Sequence, residues 1–446
     1  MTAAESNLLE NHEWVITLYP PDHRELAFAG LLKYSPTEGL WLHYAIPYGF
    51  LPDNDINCLH GCTTSGELCT LIGKFKPYSA GYSFKHGQTF SKGRAGFSYC
   101  VFGVHCDASD TFDSFTFNLA GVENFFGHAG YRRRSELPSG PVHSARYESG
   151  ALEINWNGKF EVEGVNVIDS LHSTNPKALE ELRTAYLNIS SSHPGFYAYY
   201  KKEIDYSFHF RPDEDLQVKD GYAIGDSIAN LFAILSFAPI MVKDFYATAR
   251  DDQGYPVSLT IFHFHITEKD TLSRVLKAVD QPPYALEIAD IDFEKVLRSW
   301  GEKKKKFSTM VSRIQCQGLL VANHDVLAGI VLSATQFEDI GRLAKKEPKE
   351  KYQYPIDRYA SNALKEKLRL IFSCDAEEIG NSIGELRNDI AHVGRPKKVL
   401  NKLTFSEQNV AQLCLEILVI SYVLSELGVE NDSLNKFQGS LLPLGI

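Results

Sequence analysis

The chain has 446 residues, of which 44% are hydrophobic and 23% charged, so it is long enough for two or three globular domains. Its net charge of -11 argues against a general nucleic-acid binder. The charge is uneven, because residues 1–290 carry 23 Lys and Arg against 36 Asp and Glu, whereas residues 291–446 carry 22 against 20. We therefore expect a polyanionic partner to bind the C-terminal part.

The sequence shows no signal for export or for a membrane. The N-terminus, MTAAESNLLENHEW, lacks the basic flank and apolar run of a signal peptide. The longest apolar stretch, from Ile228 to Val242, is interrupted by Asn230 and Pro239 and is shorter than the roughly 20 residues that span a bilayer. We expect a cytoplasmic protein with reduced thiols and no membrane partner.

The N-terminal part has the sequence pattern of a β-rich domain. From Trp14 to about Phe160, short runs rich in Tyr, Phe, Val and Thr alternate with Gly, Pro, Asn and Asp clusters, which is typical of a sandwich-like domain. Residues 161–285 are mixed, and the predicted elements there are helices at Pro176–Tyr186 and Ile224–Phe237 and strands within Tyr197–Phe210 and Tyr255–Ile266. We predict one β-rich sensing or regulatory unit over residues 1–285, with two subdomains as the alternative.

Four potential metal ligands lie close together in this part: Cys58, His60, Cys62 and Cys69. Zinc is conceivable there. No second ligand pair of similar spacing follows, however, so we favour small apolar fillers on one face of a strand-rich segment. The prediction is no metal and no cofactor.

Helical periodicity replaces the strand pattern after Pro282-Pro283, which predicts an all-α domain over residues 286–446 and an α+β protein overall. The predicted helices are Asp292–Phe307, His324–Lys346, Ala360–Phe372, Ala376–Val393 and Glu407–Leu427. The fourth of these has clear boundaries. Asp375 can cap it in a capping box with Glu378, and Gly394 with Pro396 is a stop signal.

One face of this fourth helix is apolar and another is lined by small residues. Ile379, Ile383, Leu386, Ile390 and Val393 form a core-facing stripe. Beside it, Gly380, Gly384 and Ala391 form a strip that predicts the close approach of a second helix, because each internal glycine costs about 1 kcal/mol relative to alanine. If that second helix belongs to an identical chain, a two-fold axis would bring two copies of the helix together.

The same helix carries Arg387, Asn388 and His392, which suit metal-free cleavage of RNA. One imidazole can accept the proton of a ribose 2′-OH, another can protonate the leaving 5′-oxygen, and an arginine can offset charge on the phosphate. Arg387 and His392 are about 140° apart on an ideal helix, so a site shared by two chains is favoured. Without further context, a face with Arg and His is more often simply solvated.

Other charged residues could serve this site. His392 is expected in the last helical turn, where the helix dipole favours imidazolium. Three basic residues that follow it are predicted phosphate contacts: Arg395, Lys397 and Lys398. Glu338 and Asp339 could orient Arg387, or they could be surface charges.

The stretch Arg387-Asn388-Asp389-Ile390-Ala391-His392 resembles the signature of HEPN ribonucleases: Arg, a polar residue, further residues, then His. Segments at Leu26–Trp41, Ile56–Leu71 and Phe115–Phe126 resemble the N-terminal β domain of ApeA-like anti-phage proteins, which carry a C-terminal HEPN domain. The resemblance implies an all-α HEPN bundle whose site is composed by two protomers.

The resemblance also implies a function. The implied function is that of a homodimeric, metal-independent endoribonuclease of abortive infection, held inactive until a phage-derived trigger appears. Such an enzyme cuts cellular RNA, with tRNA as one candidate target, and leaves a 2′,3′-cyclic phosphate. The alternative is a non-catalytic, ligand-binding β-sandwich protein whose helical domain only dimerises or binds RNA.

Overall fold

The structure is a computed structural model that describes residues 7–47, 50–51, 56–77, 90–122, 125–126, 140–157, 174–193, 205–250, 253–278, 285–316, 323–348, 350–392, 394 and 396–442. Parts of several predictions lie outside these residues. They include the end of the strand-rich stretch predicted up to Phe160, the strands expected from Tyr197 onward, of which the part from Asp205 is described, Val393 of the apolar stripe, and the phosphate contact Arg395.

The N-terminal part is dominated by strands. They are β1 (His12–Tyr19), β2 (Phe28–Ser35), β3 (Gly39–Pro47), β4 (Ile56–Thr63), β5 (Leu68–Phe75), β6 (Phe90–Gly96), β7 (Tyr99–Phe102), β8 (Thr111–Phe112), β9 (Ser114–Leu119), β10 (His143–Tyr147), β11 (Gly150–Asn157), β12 (Asp205–Pro212), β13 (Leu216–Gln217), β14 (Val242–Arg250) and β15 (Pro256–His263).

Thirteen of these strands form one sheet in the order β10-β11-β12-β9-β14-β15-β7-β5-β4-β1-β2-β3-β6, and β13 pairs with β8. Neighbouring strands are antiparallel throughout. The sheet rolls over itself, because Phe262 on β15 contacts Tyr34 on β2, with ring centroids 5.0 Å apart, although four strands separate the two in the sheet. Phe264 packs in the same way on Trp41 of β3. Two layers of one sheet thus enclose the aromatic core.

Strand β9 shows why the sequence folds in this way. Its side chains alternate between buried and partly exposed positions, with Phe115 and Phe117 fully buried. A long helix covers this face, and Gly221 of that helix lies so close to the Phe115 ring that an added Cβ would approach it to 2.4 Å. Glycine is therefore required for this helix to pack on the sheet.

Ten α-helices lie in the described residues. They are α1 (Pro176–Ser192), α2 (Val218–Ser236), α3 (Lys269–Ala278), α4 (Phe293–Cys316), α5 (Asn323–Leu343), α6 (Gln353–Tyr359), α7 (Asn362–Phe372), α8 (Ile379–Ala391), α9 (Phe405–Glu426) and α10 (Asn431–Leu441); α2 is the helix that contacts Phe115. Short 3-10 turns occur at Arg24–Leu26, Ile288–Asp290, Ala376–Glu378 and Leu400–Lys402. The predicted α+β class, with strands first and helices after, is confirmed.

Helix α9 is the centre of the C-terminal bundle and contacts α4, α5, α6, α7 and α10. Within the described residues it is the one helix that is long and apolar enough to cross a membrane. However, 78% of its most apolar window is buried inside the protein, and the core helix of a globular protein passes the same test. Thr404 and Glu407 form the capping box that begins it.

Helix α4 connects the two parts of the molecule. On the sheet side, the indole of Trp300 donates a 2.8 Å hydrogen bond to the Ser227 carbonyl of α2, and Lys304 forms an ion pair with Glu148. On the bundle side, Lys303 donates to the Glu426 carbonyl of α9 at 2.5 Å. The domain boundary predicted between residues 285 and 286 stays a prediction. Helix α4 begins just after it and packs on both the N-terminal sheet part and the C-terminal bundle.

Candidate active site

Helix α8 begins differently from the prediction. The Asp375 side chain makes no capping hydrogen bond, so the predicted capping box is wrong, and a 3-10 turn over Ala376–Glu378 precedes the helix. The side chain of Gln353 on α6 serves instead, because its Oε1 accepts from the Gly380 N–H at 2.8 Å and its Nε2 donates to the Ala376 carbonyl at 3.0 Å. A residue from another helix thus satisfies the open backbone groups.

The predicted buried face of α8 is confirmed where the structure describes it. Ile379, Ile383 and Leu386 are fully buried, and Ile390 packs half-buried against the same core. The side chain of Val393 lies outside the described residues. These contacts fix the rotation of the helix and therefore the direction of its polar side chains.

The glycine strip of α8 is filled from within the chain. A Cβ on Gly380 would approach the backbone nitrogen of Gln353 to 2.5 Å, and one on Gly384 would approach the Tyr352 ring to 3.1 Å. The expected second helix is therefore α6 of the same chain, so the idea that an identical chain occupies this strip is wrong. Ala391, the third member of the strip, is exposed.

Arg387 lies half-buried beside a group of polar side chains from α5 and from the turn that precedes α6. Its Nη1 donates to Asn388 Oδ1 at 3.3 Å, and its buried Nε has no hydrogen-bond partner within the described residues. The neighbouring Glu338 carboxylate accepts from Lys351 Nζ at 2.7 Å and from the Tyr352 hydroxyl. The alternatives for Glu338 are thereby resolved in part: it lies near Arg387 but pairs directly with Lys351.

The cations and hydrogen-bond donors around Glu338 stabilise its charged form. Burial alone would raise the pKa of the Glu338 carboxyl, but hydrogen bonds from Lys351 and Tyr352 and the nearby charge of Arg387 lower it overall. The pKa of Tyr352 is raised by burial and by the hydrogen bond to Glu338. Glu338 is therefore an anion and Tyr352 a neutral donor at neutral pH, and Arg387 keeps an anionic neighbour. Asp339 pairs with Arg342 at 2.6 Å.

His392 lies just past the end of α8. The helix ends at Ala391, and His392 has an extended backbone with φ -120° and ψ 103°, so its expected place inside the last turn is wrong. Its N–H donates to the Asn388 carbonyl at 3.1 Å. The imidazole is exposed and makes no hydrogen bond or ion pair with other residues that the structure describes. It is thus open to a substrate or to another chain.

The segment after α8 is tied back to the helix. Buried Asp389 accepts hydrogen bonds from the N–H groups of Val399 at 2.7 Å and Leu400 at 3.0 Å. Lys397 Nζ donates to the Asp389 carbonyl and, at 2.9 Å, to the His392 carbonyl. Of the lysines predicted to bind RNA, Lys397 is thus a cap on the helix C-terminus.

Lys398 remains available to solvent. Its side chain is 66% exposed and forms an ion pair of 3.2 Å with Glu385. An exposed pair of this kind contributes little to stability, so the ammonium can exchange its carboxylate for a phosphate at small cost. Whether Lys398 binds RNA stays a prediction.

Within one chain, the structure brings together Arg387 and Asn388 but gives His392 no side-chain contact with either. Sequence reasoning missed Tyr352, Lys351 and Asp389, which position the site. The sequence offered a way to find Asp389, because this residue lies inside the motif from Arg387 to His392. It offered none for Tyr352 and Lys351, since they approach from a segment some 35 residues earlier.

Two family models match the chain, both in agreement with this architecture. ApeA N-terminal domain 1 covers residues 13–300, more than half of the chain, and Apea-like HEPN covers residues 326–433, which include α8 and its motif. No curated protein and no solved structure matches. The resemblance predicted from the sequence is confirmed, and it supports a HEPN nuclease with a role in anti-phage defence. The chain belongs to the ApeA family, with an ApeA N-terminal domain followed by an Apea-like HEPN domain.

Proposed function

We propose that this protein is a metal-independent endoribonuclease that acts as a homodimer, with Arg387, Asn388 and His392 of both chains in one composite site. The observation that carries the proposal is the separation of the two principal residues. Arg387 is half-buried and held beside Glu338, whereas His392 is exposed past the end of the same helix. At the described end of α8, one chain therefore offers a fixed cation and one accessible imidazole, that of His392.

Cleavage by internal transfer needs two proton carriers. His392 of one protomer accepts the proton of the ribose 2′-OH while the 2′-oxygen forms a bond to phosphorus. The bond from phosphorus to the 5′-oxygen breaks, and the imidazolium of the second protomer protonates that oxygen. The products are a 2′,3′-cyclic phosphate and a free 5′-OH. Arg387 offsets the charge that develops on the non-bridging oxygens.

The remaining side chains of α8 have supporting roles. Asn388 donates or accepts through its amide and keeps the Arg387 guanidinium in place through its 3.3 Å contact. Lys398 binds a flanking phosphate, since it is exposed and close in sequence to His392. Arg395 is proposed for the same role from its place in the sequence, and Lys397 contributes positive charge while it caps the helix.

The biological role we propose is abortive infection in the cytoplasm. The N-terminal domain senses a phage-derived trigger and the HEPN domain cuts RNA of the host cell, with tRNA as the first substrate to test. A connection between sensing and cutting is supported by α4, which packs on the sheet domain through Trp300 and on α9 through Lys303.

The test is RNA cleavage by the full-length protein in EDTA. Wild-type protein should release fragments with 2′,3′-cyclic phosphate ends, and His392→Ala should lower the rate by about 10²- to 10⁴-fold, the usual contribution of general acid–base catalysis. His23→Ala is the matched control, because His23 is also exposed, is far from His392 in the sequence and, among the described residues, forms an ion pair with its neighbour Glu25. If the purified nuclease is inactive without its trigger, RNA cleavage is measured instead in phage-infected cells that express the same variants.

Undiminished cleavage by His392→Ala, in vitro and in infected cells, would rule out the proposed mechanism. Protection against phage by the His392→Ala variant, together with RNA binding but no cleavage by wild type, would favour the alternative of a non-catalytic binding protein.

A further inference from the structure

Three metal-ligating side chains meet in the N-terminal sheet, away from α8. The Cys58 thiol, a ring nitrogen of His60 and a carboxylate oxygen of Asp107 all lie within 4.8 Å of one another. Cys58 and His60 are alternate residues of β4 and share a face of the sheet. Asp107 comes from the segment between β7 and β8, 49 residues after Cys58. The fold supplies the third ligand that the sequence spacing does not reveal.

The surroundings of His60 are those of a metal-binding histidine. Its Nε2 lies 3.2 Å from the Cys106 carbonyl, and because a carbonyl only accepts, Nε2 carries the hydrogen and Nδ1 keeps a lone pair in the neutral ring. Donation of one ring N–H to a backbone carbonyl is the usual outer support of a metal-bound imidazole. His105 stacks on the same ring, with centroids 4.7 Å apart, and its Nε2 donates to the Gly61 carbonyl at 2.9 Å.

The charge at this place lacks a counter-ion. Asp107 and Asp110 stand next to the thiol, with the Cys58 sulfur 3.7 Å from Asp107 Oδ1 and the Asp107 N–H 2.8 Å from Asp110 Oδ2. Within the part of the chain that the structure describes, neither carboxylate forms an ion pair with Lys, Arg or His. A divalent cation would offset the charge of the two carboxylates and could displace the proton of the Cys58 thiol, which becomes a thiolate on binding the metal.

We propose that Cys58, His60 and Asp107 bind one Zn²⁺ ion. A thiolate, an imidazole and a carboxylate form a mixed sulfur, nitrogen and oxygen set that suits zinc and excludes Mg²⁺ and Ca²⁺, which require oxygen ligands. Asp107 is exposed and His60 half-buried, so the ion can enter from solvent and a water can complete a tetrahedral shell.

The ion fastens the segment from Gly103 to Asp110 onto β4. Because ligands from distant parts of the chain meet only in the folded protein, its binding energy adds to the stability of the N-terminal domain. The site is separate from the nuclease mechanism, which uses no metal.

The test uses untagged full-length protein, stripped with a chelator and titrated with Co²⁺, which reports thiolate ligation by a near-ultraviolet charge-transfer band. Wild type should bind about one Co²⁺ or Zn²⁺ per chain and gain thermal stability on adding Zn²⁺. Cys58→Ser should lose the band and the stabilisation. Cys62→Ser is the control, because Cys62 lies on the same strand face but its thiol donates to the Thr63 carbonyl instead.

A second variant keeps the test decisive if Cys58→Ser does not fold. Asp107→Asn changes an exposed side chain and should weaken Zn²⁺ binding by more than the ~10- to 100-fold that loss of an outer-shell partner causes. The proposal is overturned if wild type binds neither ion at micromolar concentration, or if Asp107→Asn and Cys58→Ser bind it as wild type does.

Discussion

Arg387 is oriented by a charged neighbour that it does not pair with directly. Glu338 accepts hydrogen bonds from Lys351 and Tyr352, and its charge acts on Arg387 across a short distance. Within the described residues the guanidinium donates only to Asn388 and its Nε is buried, so in the proposed mechanism Nη2 is the group left for a phosphate. A direct ion pair would occupy this group and lower the positive potential offered to RNA.

We expect Glu338→Gln to lower kcat for RNA cleavage by about ten-fold with little change in KM, because a less well oriented Arg387 stabilises the transition state less while ground-state binding of RNA is little affected. Asp339→Asn is the matched control, since among the described residues Asp339 forms its ion pair with Arg342, one turn further along α5. Steady-state cleavage of a short RNA separates the two parameters. Equal losses in both variants would show a general effect of charge on the bundle.

Asp389 stabilises the segment that follows α8. Burial alone would raise the pKa of its carboxyl, but the backbone N–H groups of Leu400, Val399 and Lys398 lower it below the ordinary value of 3.8. A group with a lowered folded pKa stabilises the protein above its unfolded pKa, and this contribution is lost as the pH falls through the folded pKa.

Asp389→Asn should therefore destabilise the protein by roughly 2 kcal/mol at neutral pH, the range for hydrogen bonds to a charged group. Urea unfolding of both proteins measures this difference, which should be constant from pH 7 to about pH 5 and shrink below about pH 4. A difference that does not depend on pH would show that the charge of Asp389 has no role.

At the residue scale, the sequence predicts the motif but not its supports. Arg387, Asn388 and His392 belong to one short stretch, so local pattern is enough to find them. Glu338 was one of two open choices, and only the packing of α5 on α8 separates it from Asp339. Tyr352 could not be predicted, because its contact with Gly384 depends on how two helices meet.

At the scale of elements, the apolar periodicity of α5, α7, α8 and α9 predicts these helices to within a few residues. The sequence does not predict α6, which has only seven residues, contains Pro355 and lacks a side-chain cap. Tertiary contact with the two glycines of α8 stabilises it instead. Strand alternation is likewise visible locally in β9, whereas the pairing of β9 with β12 and β14 joins segments about a hundred residues apart.

The packing of α6 on α8 gives a test at this scale. Gly380→Ala should destabilise the protein despite the better helix propensity of alanine, because the Cβ would meet the Gln353 backbone at 2.5 Å. Gly439→Ala in α10 is the control, since nothing lies within 4 Å and alanine should stabilise that helix by about 1 kcal/mol. Thermal unfolding compares them. If both substitutions stabilise equally, α6 does not pack against α8 in this way.

At the scale of the whole molecule, a continuous core links the sheet to the helical bundle. Phe293 at the start of α4 contacts Phe125 and Phe232 of the N-terminal domain, and Phe307 of the same helix contacts Tyr422 of α9. A movement of the sheet domain can thus reach the bundle through one rigid helix. The sequence indicates two regions of different texture, but not that a helix at their junction belongs to both cores.

The central claim is that one histidine per chain makes the second chain indispensable. It is tested by co-expressing two differently tagged copies, one wild type and one His392→Ala, and purifying the mixed dimer through both tags. If the two imidazoles act as base and acid in one site, the mixed dimer should cleave RNA in EDTA about 10²- to 10⁴-fold more slowly than the wild-type dimer. If it retains half of the wild-type rate, each chain cleaves on its own and the composite site is contradicted.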